Sequence, residues 1–232
     1  MRFLSAHWSN LILINYAVEP DFLARFCPRH VKPDTLDGKG YVSLVAFDFL
    51  DTRVLGIPWP GFRNFPEINL RFYVRQGGNR GVCFIQELVP SKVVFGIARL
   101  TYNEPYYSAV MSSGVRQQKG YRVVSHKIRW NGRTNRIAVA AKNSAFMPDE
   151  DSREEFFKEH QWGFGRDHFG RTLRYEVRHP RWRVYEVKEL RMDWNWEAVY
   201  GREWKFLNDC KPESVYLAQG SKVEVRSPTV VS

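Results

Sequence analysis

The chain has 232 residues, 44% of them hydrophobic and 15% aromatic, which suits one domain (1–232) with a substantial core and excludes a disordered chain. Lys and Arg number 35 against 25 Asp and Glu, a formal charge of +10, but the basic residues are dispersed and steer anions only weakly. Cys27, Cys83 and Cys210 are widely spaced with no CxxC pair, which argues against a disulfide framework and a zinc site and for a reducing compartment.

No apolar stretch approaches the roughly 20 residues that span a bilayer. The opening MRFLSAHWSNLILINYAV is broken by His7, Ser9, Asn10 and Asn15 and lacks a small-residue cleavage site, so it reads as a strand, not a signal peptide. A soluble, cytoplasmic protein with no membrane partner is expected.

In chain order, WSNLILINYAV is a strand, and EPDFLARFCP a short helix with Pro20 at its first position and Pro28 ending it. GKGYVSLVAFDFLDTRV is a long second strand. The Pro- and Gly-rich loop GIPWPGFRNFP follows, carrying Trp59 and Phe62 as candidate lid residues. EINLRFYVRQ and GVCFIQELV, joined by GGNR, form a hairpin. PSKVVFGIARLTYN has helical spacing at Val93, Val94, Ile97 and Leu100. PYYSAVMSS, GYRVVSHKIRWNG and RIAVAAKNSAF read as strands, with a tight turn at Asn131-Gly132. Ser152 and Glu155 make a capping box at the head of SREEFFKEHQW, a helix that places Phe156 and His160 one turn apart. RTLRYEVRH and RWRVYEVKE are strands split by Pro180, followed by a helical NWEAVYGREWKFL and two terminal strands, SVYLAQG and KVEVRS. Strands outnumber helices without βαβ alternation, which predicts an α+β fold, mainly antiparallel β, as a barrel or curled sheet with peripheral helices.

FPEINLRFYV carries the main functional question. Ile68, Leu70, Phe72 and Val74 share one face of this strand, and Glu67, Asn69, Arg71 and Tyr73 share the other. The first face is core; the second faces either bulk solvent or an internal pocket. On the next strand, alternation groups Cys83, Ile85, Glu87 and Val89 on one apolar register. A carboxylate there has to be paired or have its pKa raised. Arg71 is its natural partner, as an anion-binding group beside a positioned acid/base or as half of a structural ion pair. Lys92 is a candidate Schiff-base lysine. His160 beside Trp162 could serve as a base or as a packing residue. No HExxH, Cys cluster, GxSxG, GxGxxG or P-loop is present, so neither metal nor cofactor is expected. RTLRYEVRHPRWRVYEVKELR interleaves Arg with aromatics, as nucleic-acid platforms do; its alternative is an arginine-rich hairpin facing water or paired with Glu176, Glu186 and Glu189.

FPEINLRFYV, FIQELVPSK, ARLTYNEPYYSAVM, EEFFKEHQWGFGR and HPRWRVY, in that order, resemble the uncharacterised YqjF-like family, a branch of the acetoacetate-decarboxylase-like superfamily. The likeness runs from HWSNLILINYAVEP to VYLAQGSKVEV. It implies a cone-like closed or partly closed antiparallel barrel with helices outside and a cavity within. The superfamily's decarboxylases use a Schiff-base lysine beside a second lysine, with a glutamate and an arginine near the carbonyl substrate. ELVPSK resembles their glutamate-bearing strand, which carries over Glu87. The lysine pair is not matched: its positions fall on Leu100 and Thr101, or a lone Lys92 stands several residues early. Ser9 and Asn10 stand where those enzymes have an N-terminal arginine.

The expectation is therefore a barrel cavity for a small anionic or carbonyl-bearing molecule, with metal-free lyase- or isomerase-type chemistry if there is turnover. Arg71 would hold the negative group and Glu87 would act as acid/base. Glu67, Asn69, Tyr73, Arg99 and Tyr102 would contact the ligand, and Trp59 and Phe62 would close the mouth. A non-catalytic sensor or carrier is the alternative, and nucleic-acid binding the least favoured reading. Exposed strand edges make a homodimer compatible with the pattern.

Overall fold

Long alternating runs become long strands. The computed structural model describes residues 1–58, 62–90 and 105–231, so the helix expected over PSKVVFGIARLTYN lies outside the described residues. The strands are β1 (Arg2–Val18), β2 (Lys32–Pro33), β3 (Gly40–Val54), β4 (Ile57–Pro58), β5 (Phe65–Gln76), β6 (Asn79–Val89), β7 (Tyr106–Ser108) and β8 (Val110–Gln118). They continue as β9 (Tyr121–Trp130), β10 (Arg133–Phe146), β11 (Trp162–Arg166), β12 (Thr172–Arg178), β13 (Val184–Asp193), β14 (Ser214–Arg226) and β15 (Thr229–Val230). Helices α1 (Pro20–Ala24), α2 (Arg153–Lys158) and α3 (Trp196–Tyr200) and a 3-10 helix over Arg202–Asn208 lie between them.

Strands β12, β11, β6, β5, β3, β1 and β14 are hydrogen-bonded in that order, and the pairs Val177–Val225 and Arg178–Glu224 bring β12 back to β14. These seven strands close a ring. Its pairings are antiparallel except β11 on β6. From β14 the sheet runs on through β13, β10, β9 and β8 as an arm that folds against the outside of the ring. There the Tyr16 hydroxyl meets Met192 Sδ at 3.7 Å and Ser113 donates to Asp48 at 2.6 Å. The result is an antiparallel, partly closed barrel carrying an extension, as expected for the fold class.

This topology gives the central strands two apolar coats. Ile12, Ile14, Leu44, Leu70 and Phe72 of the ring's outer face pack with Val124, Ile128 and Val139 of the arm in the larger core. Leu11, Leu13, Val45, Phe47 and Tyr73 point inward and meet Phe156 and Phe157 of α2. Each such side chain contributes roughly 1.5–3 kcal/mol when fully buried.

Two irregularities set which residues face inward. On β1 the register with β3 shifts between Ser9 and Ile12, with Asn10 at φ 54°. The alternation therefore changes phase, and Trp8 and Leu11 both face the interior. Opposite Ser9 stands Gly220 at φ 80°, where a Cβ would collide with the Trp8 carbonyl oxygen. Glycine is required there by both backbone and space. On the β5–β6 hairpin, Leu70 pairs with Gln86 but Arg71 pairs with Phe84, leaving Ile85 as the extra residue of a bulge.

That bulge overturns the single register expected for Cys83, Ile85, Glu87 and Val89. Cys83 and Ile85 belong to the outer core, whereas Val82, Phe84 and Glu87 face the ring interior. One inserted residue moves every side chain beyond it to the other face.

Other elements also differ from expectation. SVYLAQG and KVEVRS are one strand, β14, passing through Gly220. NWEAVYGREWKFL breaks at Gly201, φ 97°, into α3 and the 3-10 helix. The Ser152 cap holds, its Oγ accepting from the Glu155 amide at 3.4 Å, but α2 stops at Lys158 and WGFGR becomes β11. RTLRYEVRH and RWRVYEVKE are not a hairpin: β12 and β13 each pair with β14, one within the ring and the other in the arm. Their arginines are tied locally, Arg171 to Asp167, Arg178 to Glu176, Arg181 to Glu155 and Arg191 to Glu189, instead of forming one cationic face.

Candidate active-site cavity

The ring encloses a cavity of about 140 Å³. Strand β5 supplies its polar wall. Because both faces of β5 are covered, the alternation that sends Ile68, Leu70 and Phe72 into the outer core sends Glu67, Asn69 and Arg71 into the interior, all three buried. Glu87 enters from β6 directly opposite Asn69, and Tyr106 from β7 opposite Glu87. Lys158, His160 and His179 come from the end of α2 and from the segment after β12, and Thr52 and Tyr175 from β3 and β12.

The two carboxyl groups form the centre of the arrangement. Asn69 Nδ2 donates to Glu67 Oε1 at 2.9 Å, and the Glu87 carboxyl and the Tyr106 hydroxyl stand beside Glu67 and act on its titration. Burial pushes the Glu67 carboxyl up to about 7, against the opposing pull of these groups and of Arg71. Two adjacent carboxyls cannot both ionise easily in a dry site, so the pair holds a proton near neutral pH. Such a pair can give and take a proton in the same pH range. Burial and the neighbouring carboxylates push the Tyr106 hydroxyl well above its ordinary range, so it acts as a neutral donor.

Arg71 does not pair with Glu87. Its Nη2 donates to the Phe157 carbonyl at 2.8 Å, and its Nε has no hydrogen-bond partner among the described residues. Neither ring nitrogen of buried His160 has one either. Burial, reinforced by Arg71, Arg80 and His179, holds His160 well below the ordinary histidine range and therefore neutral. His179 is also held low by burial; its ring stacks on Trp182 at 3.9 Å. The Lys158 Nζ is bound by Glu155 at 2.6 Å and Glu159 at 2.7 Å, which engages two of its three N–H donors.

The adjoining wall is aromatic. Trp8 packs edge-on to Phe47 and Phe49, with ring centroids 5.1 and 5.6 Å apart, and Phe49 stacks on Phe65 at 4.7 Å. Phe62 lines the cavity, while Trp59 lies outside the described residues.

Of the residues singled out in the sequence, Glu67, Asn69, Arg71, Glu87 and Phe62 are brought together here. Tyr73 is not: its hydroxyl meets Ser43 Oγ at 2.5 Å and the Phe157 carbonyl at 3.3 Å. Lys92, Arg99 and Tyr102 lie outside the described residues. Tyr106, Lys158 and His179 carried no local signal, and His160, weighed as a base or a packing residue, lines the cavity. Among the described residues no cluster of His, Cys, Asp and Glu is placed to hold a metal ion.

Comparison with known proteins agrees with this architecture. The fold is shared with an acetoacetate decarboxylase-like enzyme from Sphingomonas wittichii RW1, at TM-score 0.71 and 12% identity over 100% of this chain and 94% of that one. It is also shared with the enduracididine biosynthesis enzyme MppR in complex with pyruvate, at TM-score 0.68 and 12% identity over 100% and 91% of the two chains. A third structure, acetoacetate decarboxylase from Legionella pneumophila, aligns at TM-score 0.65 and 12% identity over 98% and 87%. In sequence, the chain is 30% identical over 107 residues to the uncharacterized protein YqjF of Bacillus subtilis, a match covering 46% of this chain and 44% of that protein, less than half of either. With residues 5–222 matched by its model, the chain belongs to the DUF2071 family of uncharacterized conserved proteins, built on the acetoacetate-decarboxylase-like fold.

Proposed function

We propose that the ring interior binds a small organic molecule bearing a carboxylate or carbonyl group, and that the Glu67–Glu87 pair exchanges a proton with it. The observation that carries this reading is the placing of a proton-holding carboxyl pair and a buried arginine together in a cavity lined largely by aromatic and aliphatic side chains. Pairs of titratable groups with raised pKa values inside clefts are the signature of acid/base sites. Arg71, with Nε unengaged, attracts the anionic group; Asn69 holds Glu67 in place; Tyr106 donates to the carboxyl pair. A proton taken by one carboxylate from the carbon beside a carbonyl and returned at another atom is an isomerase-type step, and proton delivery after loss of a leaving group is a lyase-type step. That MppR holds pyruvate is in keeping with this ligand class.

Binding without turnover is a second reading favoured by one observation. Lys158, the lysine that lines the cavity among the described residues, is held by two carboxylates and is not free to attack a carbonyl.

Calorimetric titration with pyruvate and other short oxo acids tests the proposal. Binding of at least one acid by the wild type and at least tenfold weaker binding by Arg71→Gln are expected; equal binding by the variant, or no binding by the wild type of any small carboxylic acid, aryl acids included, overturns it. Borohydride reduction in the presence of the same acids decides the lysine question, since only a Schiff base leaves a covalent label.

A further inference from the structure

We infer that the ligand is an aryl acid, a single aromatic ring carrying a carboxylate, rather than a short-chain acid. The inference rests on the cavity being the ligand site and adds what the two walls select.

The charged side chains and the histidines lie on β5, β6 and the ends of α2 and β12. Adjoining them, β1 and β3 contribute Trp8, Leu11, Val45, Phe47 and Phe49, with Thr52 as a polar side chain and no charged group among them; Phe47 is the direct strand partner of Glu67. Trp182 joins this wall 6.1 Å from Trp8. Trp8 meets Phe47 and Phe49 edge to face while Phe49 stacks on Phe65, a cluster of cavity-lining rings against which a further aromatic ring fits well.

The volume agrees. At about 140 Å³ the cavity is close to the engineered apolar cavity of roughly 150 Å³ that takes up benzene. A three-carbon acid would leave the aromatic wall without atoms to touch, forfeiting dispersion contacts across the void. A ring fills that wall and sets its substituent against the polar one.

The polar wall selects the substituent. Arg71 Nε and both ring nitrogens of His160 are buried and lack hydrogen-bond partners among the described residues. Buried donors without partners are costly, so a group that accepts from them is favoured. The guanidinium makes an anion the preferred acceptor, and a carboxylate matches its geometry. Neutral His160 donates one N–H to the same group.

The test uses the full chain with benzoate, pyruvate and benzamide, read by calorimetry and by quenching of the cavity tryptophans Trp8, Trp162 and Trp182. Benzoate is expected to bind at least tenfold tighter than either of the others. Pyruvate binding as tightly as benzoate overturns the aryl assignment while leaving the small-acid reading intact. Benzamide binding as tightly as benzoate overturns the carboxylate assignment. Binding of none of the three removes the inference together with the reading beneath it. Phe47→Leu and Phe49→Leu, each checked for an unchanged near-ultraviolet circular dichroism spectrum, are expected to weaken benzoate severalfold and leave any pyruvate binding unchanged. Equal losses for both acids would overturn the role given to the aromatic wall.

Discussion

Glu67 and Glu87 stand beside each other on adjacent strands inside the ring, two buried carboxyl groups sharing one site. Neither strand's local pattern requires this. It follows from the bulge at Ile85, which turns Glu87 inward to meet the face that β5 presents.

The pair gives the stability a pH dependence of defined sign. Glu67 holds its proton up to about 7 when folded, but in the unfolded chain it loses it in the ordinary carboxylate range. Its contribution to stability is therefore complete below that range and falls as pH rises through about 7, by on the order of 3 kcal/mol in all. Glu67→Gln keeps a neutral side chain at every pH. The melting temperature of this variant relative to wild type is expected to climb between pH 4.5 and 7.5 and to level off above; a difference independent of pH would contradict a proton held at Glu67.

His126 has the opposite sign. It sits on β9 between core residues Val124 and Ile128, is 2% exposed, and has no hydrogen-bond partner for either ring nitrogen among the described residues. Burial lowers its pKa to about 4. The folded state resists its protonation, so stability is lost as pH falls from about 6.5 to about 4, by on the order of 3 kcal/mol. His126→Leu is expected to be more stable than wild type by about 1–3 kcal/mol at pH 7, because an unsatisfied buried polar group is removed. The advantage should widen at pH 5. Urea unfolding at the two pH values measures both differences, and a variant less stable at pH 5 than wild type would refute the assignment.

Lys158 ties the cavity floor together. It is 3% exposed and holds both Glu155 and Glu159, while Glu159 also accepts from the Trp182 amide at 3.1 Å. Lys158→Met leaves two carboxylates without their shared cation, a loss expected to cost roughly 3–5 kcal/mol. Pairing it with Glu159→Gln should recover part of that loss. Denaturant midpoints of the single and double variants check the coupling; strictly additive effects would show that the two side chains do not interact.

What was legible in the sequence was local. The two-residue period of EINLRFYV separated Ile68, Leu70 and Phe72 from Glu67, Asn69 and Arg71, and Ser152 with Glu155 marked the start of α2. Turn residues delimited the β5–β6 and β9–β10 hairpins, because glycine and asparagine are needed where φ is positive, as at Gly77, Asn131 and Gly132. The in-order resemblance of whole segments then pointed to a hollow barrel, and so to a lined cavity behind the polar face of β5.

The tertiary structure decided the rest. A strand's periodicity distinguishes its two faces but cannot say whether the second meets water or another wall; here the arm covers one face and ring closure covers the other. The bulges at Asn10 and Ile85 depend on register with neighbouring strands, which no short window of sequence specifies, yet they choose Trp8, Leu11 and Glu87 as lining residues. Lys158, His160 and His179 reach the cavity only because β11 and β12 close the ring between them. The sequence by itself determined which residues alternate and where the chain turns, since those follow from backbone sterics within a few residues. Which polar groups share one dry interior depended on pairings across the whole chain, Val177 with Val225 among them, because burial belongs to the closed ring and not to any strand in it.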